Sequence, residues 1–407
     1  MSMILKRGNL PRTPHTEFYA VKDSLSLEEI HGTYGFSGPY TRKIHIRYYP
    51  TEQSKPPQKI TSNLIPTTLS DEALQPYHIF TGNIPYEGDA LTSRKPLLCG
   101  HATIISVSKP DKSMNENHFF RNGEKHEIYY VHDGQGVLKT EYGFIPFSKG
   151  LYLIIPKGTI YQIELSSKNA FFFITESTFP IVFPPHYMNK AGQAMLMSPV
   201  IETEIEVPEF KEPIDKEGEF LVDVKHHGVS ITRLTFSHHP FDIAGWEGPL
   251  YPFGFDIRNH HGISREIHTA PPVRQTFQTG NVPNSGLSIC SFISQMEGWH
   301  PKDIAAPYAH SNVDSDEVMF FSSEEYTARE GIIKGGSLTF HPGAIPHSPH
   351  GDAAKKSTSL RGKVNSMQAV MIDTYFESLR ITEQAYKYID KEYAMSWFMA
   401  RSQKCKV

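Results

Sequence analysis

The stretch EIYYVHDGQGVLKTEYGFIPFSKGLYLIIPKGTIYQIEL (127–165) decides the fold class. Short apolar runs alternate with glycine-bearing turns, and no 3.6-residue period carries through it. Such a chain predicts a meander of short antiparallel strands. Upstream, PLLCGHATIISVS (96–108) has the same texture, and a second β-rich block runs from about 219 to 376. Between them, the proline-rich PPHYMNKAGQAMLMSPVIETEIEVPEFKEP (184–213) reads as a connector. Near the end, TEQAYKYIDKEYAMSWF (382–398) carries Tyr and Ile at helical spacing, which predicts a short closing helix.

Composition agrees with a turn-rich β protein. The chain has 407 residues, with 30 prolines and 29 glycines. That length implies two or three domains, or one two-lobed unit. A formal charge of −4 without a basic run argues against a nucleic-acid partner. No apolar stretch approaches the ~18–20 residues that span a membrane, and the first residues, MSMILKRGNLPRTPH, lack a secretory pattern. Cys99, Cys290 and Cys405 are too scattered for a disulfide framework or a thiolate metal site, so a reducing, cytoplasmic setting is expected. The unusual count is 21 histidines.

Two segments of the second block carry chemistry. AHSNVDSDEVMFF (309–321) holds His310 and Glu317, and KGGSLTFHPGAIPHSPH (334–350) ends a turn on His347. Two histidines and one carboxylate form the facial triad of non-haem Fe(II) enzymes, which leaves coordination positions open for substrate and dioxygen. The segments resemble the two cupin motifs. The first reads His310-Ser311-Asn312-x₄-Glu317, with Asn312 where a middle histidine often stands. The second reads Gly336-x₅-Pro342 followed by His347, with its glycine one place early at Gly343. Lack of the middle histidine favours iron over a four-ligand manganese or zinc site. Asp316 is the rival of Glu317 for the carboxylate role.

The first block repeats this pattern in degraded form. IIPKGTIYQ (154–162) puts Tyr161 where the terminal histidine would stand, and His126 and Glu127 have no partners at ligand spacing. The expected fold is therefore all-β, with two cupin (jelly-roll-like) barrels, long loops and a short C-terminal helix. Residues 1–215 would hold a degenerate, metal-free barrel, and residues 216–407 the catalytic barrel with the iron site.

The sequence is similar to the homogentisate 1,2-dioxygenase family. The likeness is carried by GFSGPYT (35–41), VLKTEYGFIPFSKGLYLIIPKG (137–158), FDIAGWEGPLYPFGFDI (241–257), YAHSNVDSDEVMFF (308–321) and GGSLTFHPGAIPHSPH (335–350). The resemblance implies Fe(II) held by His310, Glu317 and His347, and an acid/base histidine at His268 within REIHTAPP (265–272). A histidine can take a phenol proton near neutral pH. His260 and His261 compete for that role. The resemblance also implies that Tyr326, Arg329, His341 and His347 line the substrate site. Tyr326 and Arg329 would take the acetate arm, and His341 would touch substrate or support the metal shell.

The implied reaction is ring opening of homogentisate to maleylacetoacetate, in tyrosine and phenylalanine catabolism. The implied partners are a small aromatic acid and dioxygen, and the implied assembly is a homo-oligomer, trimer or hexamer. Two alternatives stand beside this. One is a related dioxygenase for another hydroquinone or hydroxyaryl acid. The other is a non-enzymatic cupin that binds a small molecule. Trp246 reads as core packing, and the pairs His226–His227 and His238–His239 read as surface residues.

Overall fold

The strand FFFITES (Phe171–Ser177) shows how the layers are built. Successive side chains of a strand point to opposite faces. Phe172 and Ile174 enter one core with Phe120, Tyr129, Leu138, Ile163 and Leu153. Phe171 and Phe173 enter another with Phe277, Ile289, Val318, Phe320 and Ile372. A strand that is apolar on both faces must lie in a middle layer. A computed structural model describes residues 3–47, 53–69, 73–226, 230–261, 273–280, 285–296, 298–304, 309–324, 332–348 and 358–396.

The middle layer is an eight-stranded sheet. Its order is Ile205–Glu206, Phe253–Asp256, Leu151–Ile155, His126–Asp133, Phe171–Ser177, Thr103–Ser108, Lys95–Cys99 and Arg380–Ile381. One seven-stranded sheet covers its first face. It contains Gly136–Thr140, Gly143–Phe147, Ile160–Leu165, His118–Asn122, Glu217–His226, Ser230–His238 and Gln53–Ile60. A second seven-stranded sheet covers the other face, in the order Ile181–Val182, Val273–Thr279, Gly286–Phe292, Ala369–Tyr375, Glu317–Phe321, Ser337–His341 and Tyr77–Ile79. A four-stranded sheet of Leu5–Gly8, Ile243–Gly248, Tyr40–His45 and Leu27–Gly32 adjoins the first half.

The protein is thus all-β and cupin-like, as expected; among the described residues its sheets pack face to face and do not close on themselves. Among the described residues, neither seven-stranded sheet has its end strands paired to one another; each packs on the shared middle layer. Strand pairing also crosses residue 215. Glu217–His226 runs parallel to His118–Asn122, and Arg380–Ile381 pairs with Lys95–Cys99.

The closing helix is short: Glu383–Tyr386, capped by Thr382, whose hydroxyl accepts from Ala385 N. Helical spacing continues beyond it in sequence, but the chain turns out to follow residues 78–80. Phe80 N donates to Tyr388 O, and Asp390 N to His78 O, each at 2.8 Å. Backbone pairing with a buried strand outweighs local helix propensity there. Among the described residues, no helix is long and apolar enough to cross a membrane.

Candidate metal centre

The second seven-stranded sheet positions the site through its register. Strand Glu317–Phe321 sends Val318 and Phe320 into the large core. Its alternate residues, Glu317, Met319 and Phe321, therefore face the opposite side, where Met319 and Phe321 meet Phe292 and Ala369. Glu317 stands at the end of this strand, directly opposite His341 on one neighbour and Asp373 on the other. The next row inward is Cys290, Met371, Met319 and Thr339, and the row after it Phe292, Ala369, Phe321 and Ser337. The polar groups thus occupy the rim of a face whose floor is largely apolar.

His310 and His347 come from the segments flanking these two strands. They form an isolated antiparallel bridge, with His310 N donating to His347 O at 3.0 Å and the reverse bond at 2.8 Å. Their rings lie 4.3 Å apart. The turn between His341 and His347 is held by Ala344 N donating to Asn312 O, and by Gly343 N donating to Asp316 Oδ1, both at 2.7 Å. A Cβ at Gly343 would meet Ser315 O at 2.9 Å, so the close approach of the two segments needs glycine at that place.

Candidate ligand atoms of His310, Glu317 and His347 all lie within 4.8 Å of one another. His310 Nε2 is 3.4 Å from Glu317 Oε2, and His347 Nε2 is 3.3 Å from Glu317 Oε1. His347 Nδ1 donates to Ile345 O at 3.1 Å, which leaves Nε2 as the lone-pair nitrogen. That Nε2 is buried and has no hydrogen-bond partner. A buried imidazole nitrogen left without a partner is costly, and a cation among the three side chains would satisfy it. The residues therefore fit a divalent metal held by two imidazoles and one carboxylate. Burial pushes the Glu317 carboxyl up, but the imidazoles of His310, His341 and His347 outweigh it and hold the group well below the usual range. Burial and the Glu317 charge push the neighbouring Asp373 up to about 7.

His341 Nδ1 contacts Glu317 Oε1 at 2.9 Å, and its Nε2 contacts the Tyr393 hydroxyl at 3.1 Å. Its ring stacks on His347 at 4.3 Å. Both nitrogens are thus engaged with protein groups, and the geometry is that of a residue steadying Glu317. Asp316 faces away from the cluster. Its two oxygens accept from Gly343 N and Leu379 N, each at 2.7 Å, so it ties the turns together. His268, Tyr326 and Arg329 lie outside the described residues. His260 is engaged elsewhere, with Nε2 at 2.9 Å from Thr276 Oγ1 and Nδ1 facing Ile257 O.

The structure adds Asp373, Tyr393, Ser288 and Tyr375 to the neighbourhood. Their signal is the cross-strand register, which joins positions far apart in sequence. Trp246 is fully buried and donates from Nε1 to Tyr142 O at 2.8 Å, as core packing requires. His238 and His239, expected at the surface, are buried. His239 packs edge-on against Phe119, Phe220 and Phe241 and accepts from Phe241 N. The apolar surround is the reason: aromatic edges accommodate an imidazole, and burial pushes it down to about 4.

In the first half, the degraded motif is filled by an internal cation. Arg94 reaches Glu127 Oε1 and Glu176 Oε1, each at 2.7 Å. Tyr161 donates to Glu127 Oε2 at 2.9 Å, and Lys225 to Glu176 Oε2 at 2.6 Å. The carboxylate at 127 and the tyrosine at 161 thus have partners that local spacing did not reveal.

Comparison with known proteins divides the chain at about 257–263, later than the boundary at 215 expected from sequence. Sequence profiles of the homogentisate 1,2-dioxygenase N-terminal and C-terminal regions match residues 93–257 and 263–404. A Saccharolobus solfataricus protein with a provisional dioxygenase designation is 31% identical over 401 residues, covering 97% of this chain and 98% of its own. The homogentisate 1,2-dioxygenase of Bradyrhizobium diazoefficiens is 26% identical, covering 74% of this chain and 66% of that protein. Its Caenorhabditis elegans counterpart is 24% identical, covering 76% of this chain and 72% of that one. A cupin 2 barrel protein from Leptotrichia buccalis superposes with a TM-score of 0.34 at 12% identity, covering 76% of this chain and all of that one. Two regional profiles in the family's order, with a relative aligned along nearly the whole length, place this chain in the homogentisate 1,2-dioxygenase family.

Proposed function

We propose that the chain is an Fe(II)-dependent dioxygenase that opens the ring of homogentisate to give maleylacetoacetate, a step in tyrosine and phenylalanine breakdown. The observation that carries this reading is the convergence of His310, Glu317 and His347 at the rim of an apolar-floored sheet face. Fe(II) held there would supply adjacent open coordination positions for a phenolic hydroxyl and dioxygen. Glu317 contributes a carboxylate kept ionised by its imidazole neighbours, and His341 fixes its orientation. The rows of Cys290, Met371 and Met319, then Phe292, Ala369 and Phe321, exclude water from beneath the ring. His268 is the proposed base for the phenol proton, and Tyr326 with Arg329 the proposed seat of the acetate arm. On the resemblance alone, the protein is a cytoplasmic homo-oligomer, trimer or hexamer, which sedimentation would check.

A second reading, a dioxygenase for another hydroquinone or hydroxyaryl acid, has its own support. The relative that matches almost end to end has no named substrate, whereas the homogentisate enzymes above match over 66% and 72% of their length. The test is anaerobic Fe(II) loading followed by oxygen-electrode assays with homogentisate, gentisate and catechol. Oxygen uptake with homogentisate, and absorbance from the ring-opened product, is expected. Uptake with another of these compounds only would move the assignment to the second reading. Stoichiometric Fe(II) binding with no uptake on any aromatic would leave a non-enzymatic binding protein.

A further inference from the structure

The rim of the second seven-stranded sheet carries one unbroken polar row across five strands: Gln278, Ser288, Asp373, Glu317 and His341, each the cross-strand partner of the next. The metal cluster occupies one end. At the other end Ser288 is 5% exposed and sits two strands from Glu317, about 10 Å away at ordinary strand spacing. Its Oγ accepts from Gln275 Nε2 at 2.7 Å and from the Tyr375 hydroxyl at 3.0 Å. Both lone pairs are then used, while neither bond uses the serine's own hydrogen. That hydrogen is left for a ligand, and Asp373, the next residue in the row, places its carboxyl group on the same face beside it.

We propose that Ser288 and Asp373 form a specificity-determining pair that binds a second ring hydroxyl, on the side of the aromatic substrate away from the metal. A hydroxyl matches the pair, because it can accept from Ser288 and donate to Asp373. A carboxylate does not, because it has no hydrogen to donate to Asp373. Among the described residues, the inner-face positions of these strands carry no lysine or arginine to hold an acid arm. The separation suits one ring bound to the metal through its first hydroxyl. The row therefore selects para-dihydroxylated rings and turns the acid arm toward another wall. This inference rests on the dioxygenase reading of the site.

The test compares anaerobic calorimetric affinities of the Fe(II)-loaded protein for homogentisate and for 2-hydroxyphenylacetate, which lacks the second hydroxyl. Wild type should prefer homogentisate by at least about tenfold, as a site built around a hydroxyl does. Ser288→Ala should bring the ratio close to one by weakening homogentisate alone, with Fe(II) stoichiometry unchanged. Ser288→Thr, which keeps a hydroxyl, should preserve the preference. A preference that survives in Ser288→Ala overturns the assignment of this pair and leaves the dioxygenase reading standing. Failure of the loaded wild type to bind either compound overturns both.

Discussion

At the scale of single residues, the site turns on how Glu317 is held. Two imidazoles in ligand position and a third, His341, converge on its carboxylate. His341 is tied in turn to Tyr393. Removing such an orienting partner commonly costs about 10- to 100-fold in metal affinity. His341→Ala should therefore weaken Fe(II) binding by about that factor while keeping one site per chain, as read by chelator competition. His341→Gln, which keeps a donor toward Glu317, should recover part of the loss. Equal affinity in His341→Ala would show that Glu317 needs no such support. The convergence of His310, Glu317 and His347 was legible in sequence because the motifs set Glu317 at the start of its strand and the two histidines on flanking segments. Asp316 and Glu317, rivals in the sequence, are turned to opposite sides, and Glu317 is the one that reaches the two histidines. Asp373 and Ser288 were illegible, because only strand pairing sets Asp373 beside Glu317 and Ser288 beside Asp373.

Among the elements, the four-stranded sheet is fastened by His45, which sits between two carboxylates. Its Nδ1 lies 2.7 Å from Asp242 Oδ1 and its Nε2 2.9 Å from Glu29 Oε2. Burial pushes the imidazole down, but Asp242 and Glu29 outweigh it and raise it to about 9. A folded-state value above the unfolded one of about 6.5 stabilises the protein fully below the unfolded value. The contribution is lost as pH rises through about 9. It should be on the order of 3 kcal/mol. Urea midpoints should accordingly fall between pH 6.5 and 9.5, and the component due to His45 should vanish in His45→Gln. An identical pH slope in the variant would exclude His45 as its source. This fastening joins strands about 200 residues apart in sequence, so no local pattern announced it. The strands at 127–165 were legible because their apolar runs and glycine turns are local, but one meander was not the outcome: Gly136–Thr140 and Gly143–Phe147 form a hairpin, whereas His126–Asp133 and Leu151–Ile155 pair in the middle sheet. The helical spacing at 382–398 misled at 387–390, where pairing with residues 78–80 overrides it; residues 395–396 are helical again.

For the whole molecule, the middle sheet makes the two halves one mechanical unit. Phe320 belongs to the strand that carries Glu317, yet its ring stacks on Phe173 of the middle layer at 4.7 Å and meets Tyr130 and Phe171 edge-on. Phe320→Ala should cost about 3–5 kcal/mol. The loss should appear in amide exchange along His126–Asp133 as well as along Glu317–Phe321, since the core is shared. Destabilisation confined to the second strand would mean that the halves unfold independently. The shared core also explains why the metal cluster can sit at a rim: the rigidity comes from beneath, through Val318 and Phe320, while Glu317 faces the site. The most direct measurement is oxygen uptake on homogentisate by the Fe(II)-loaded wild type and by His347→Ala, side by side. Wild type should consume oxygen in step with substrate, while the variant neither retains tight Fe(II) nor consumes oxygen. Retention of both by His347→Ala would contradict the assignment of the metal centre to His310, Glu317 and His347.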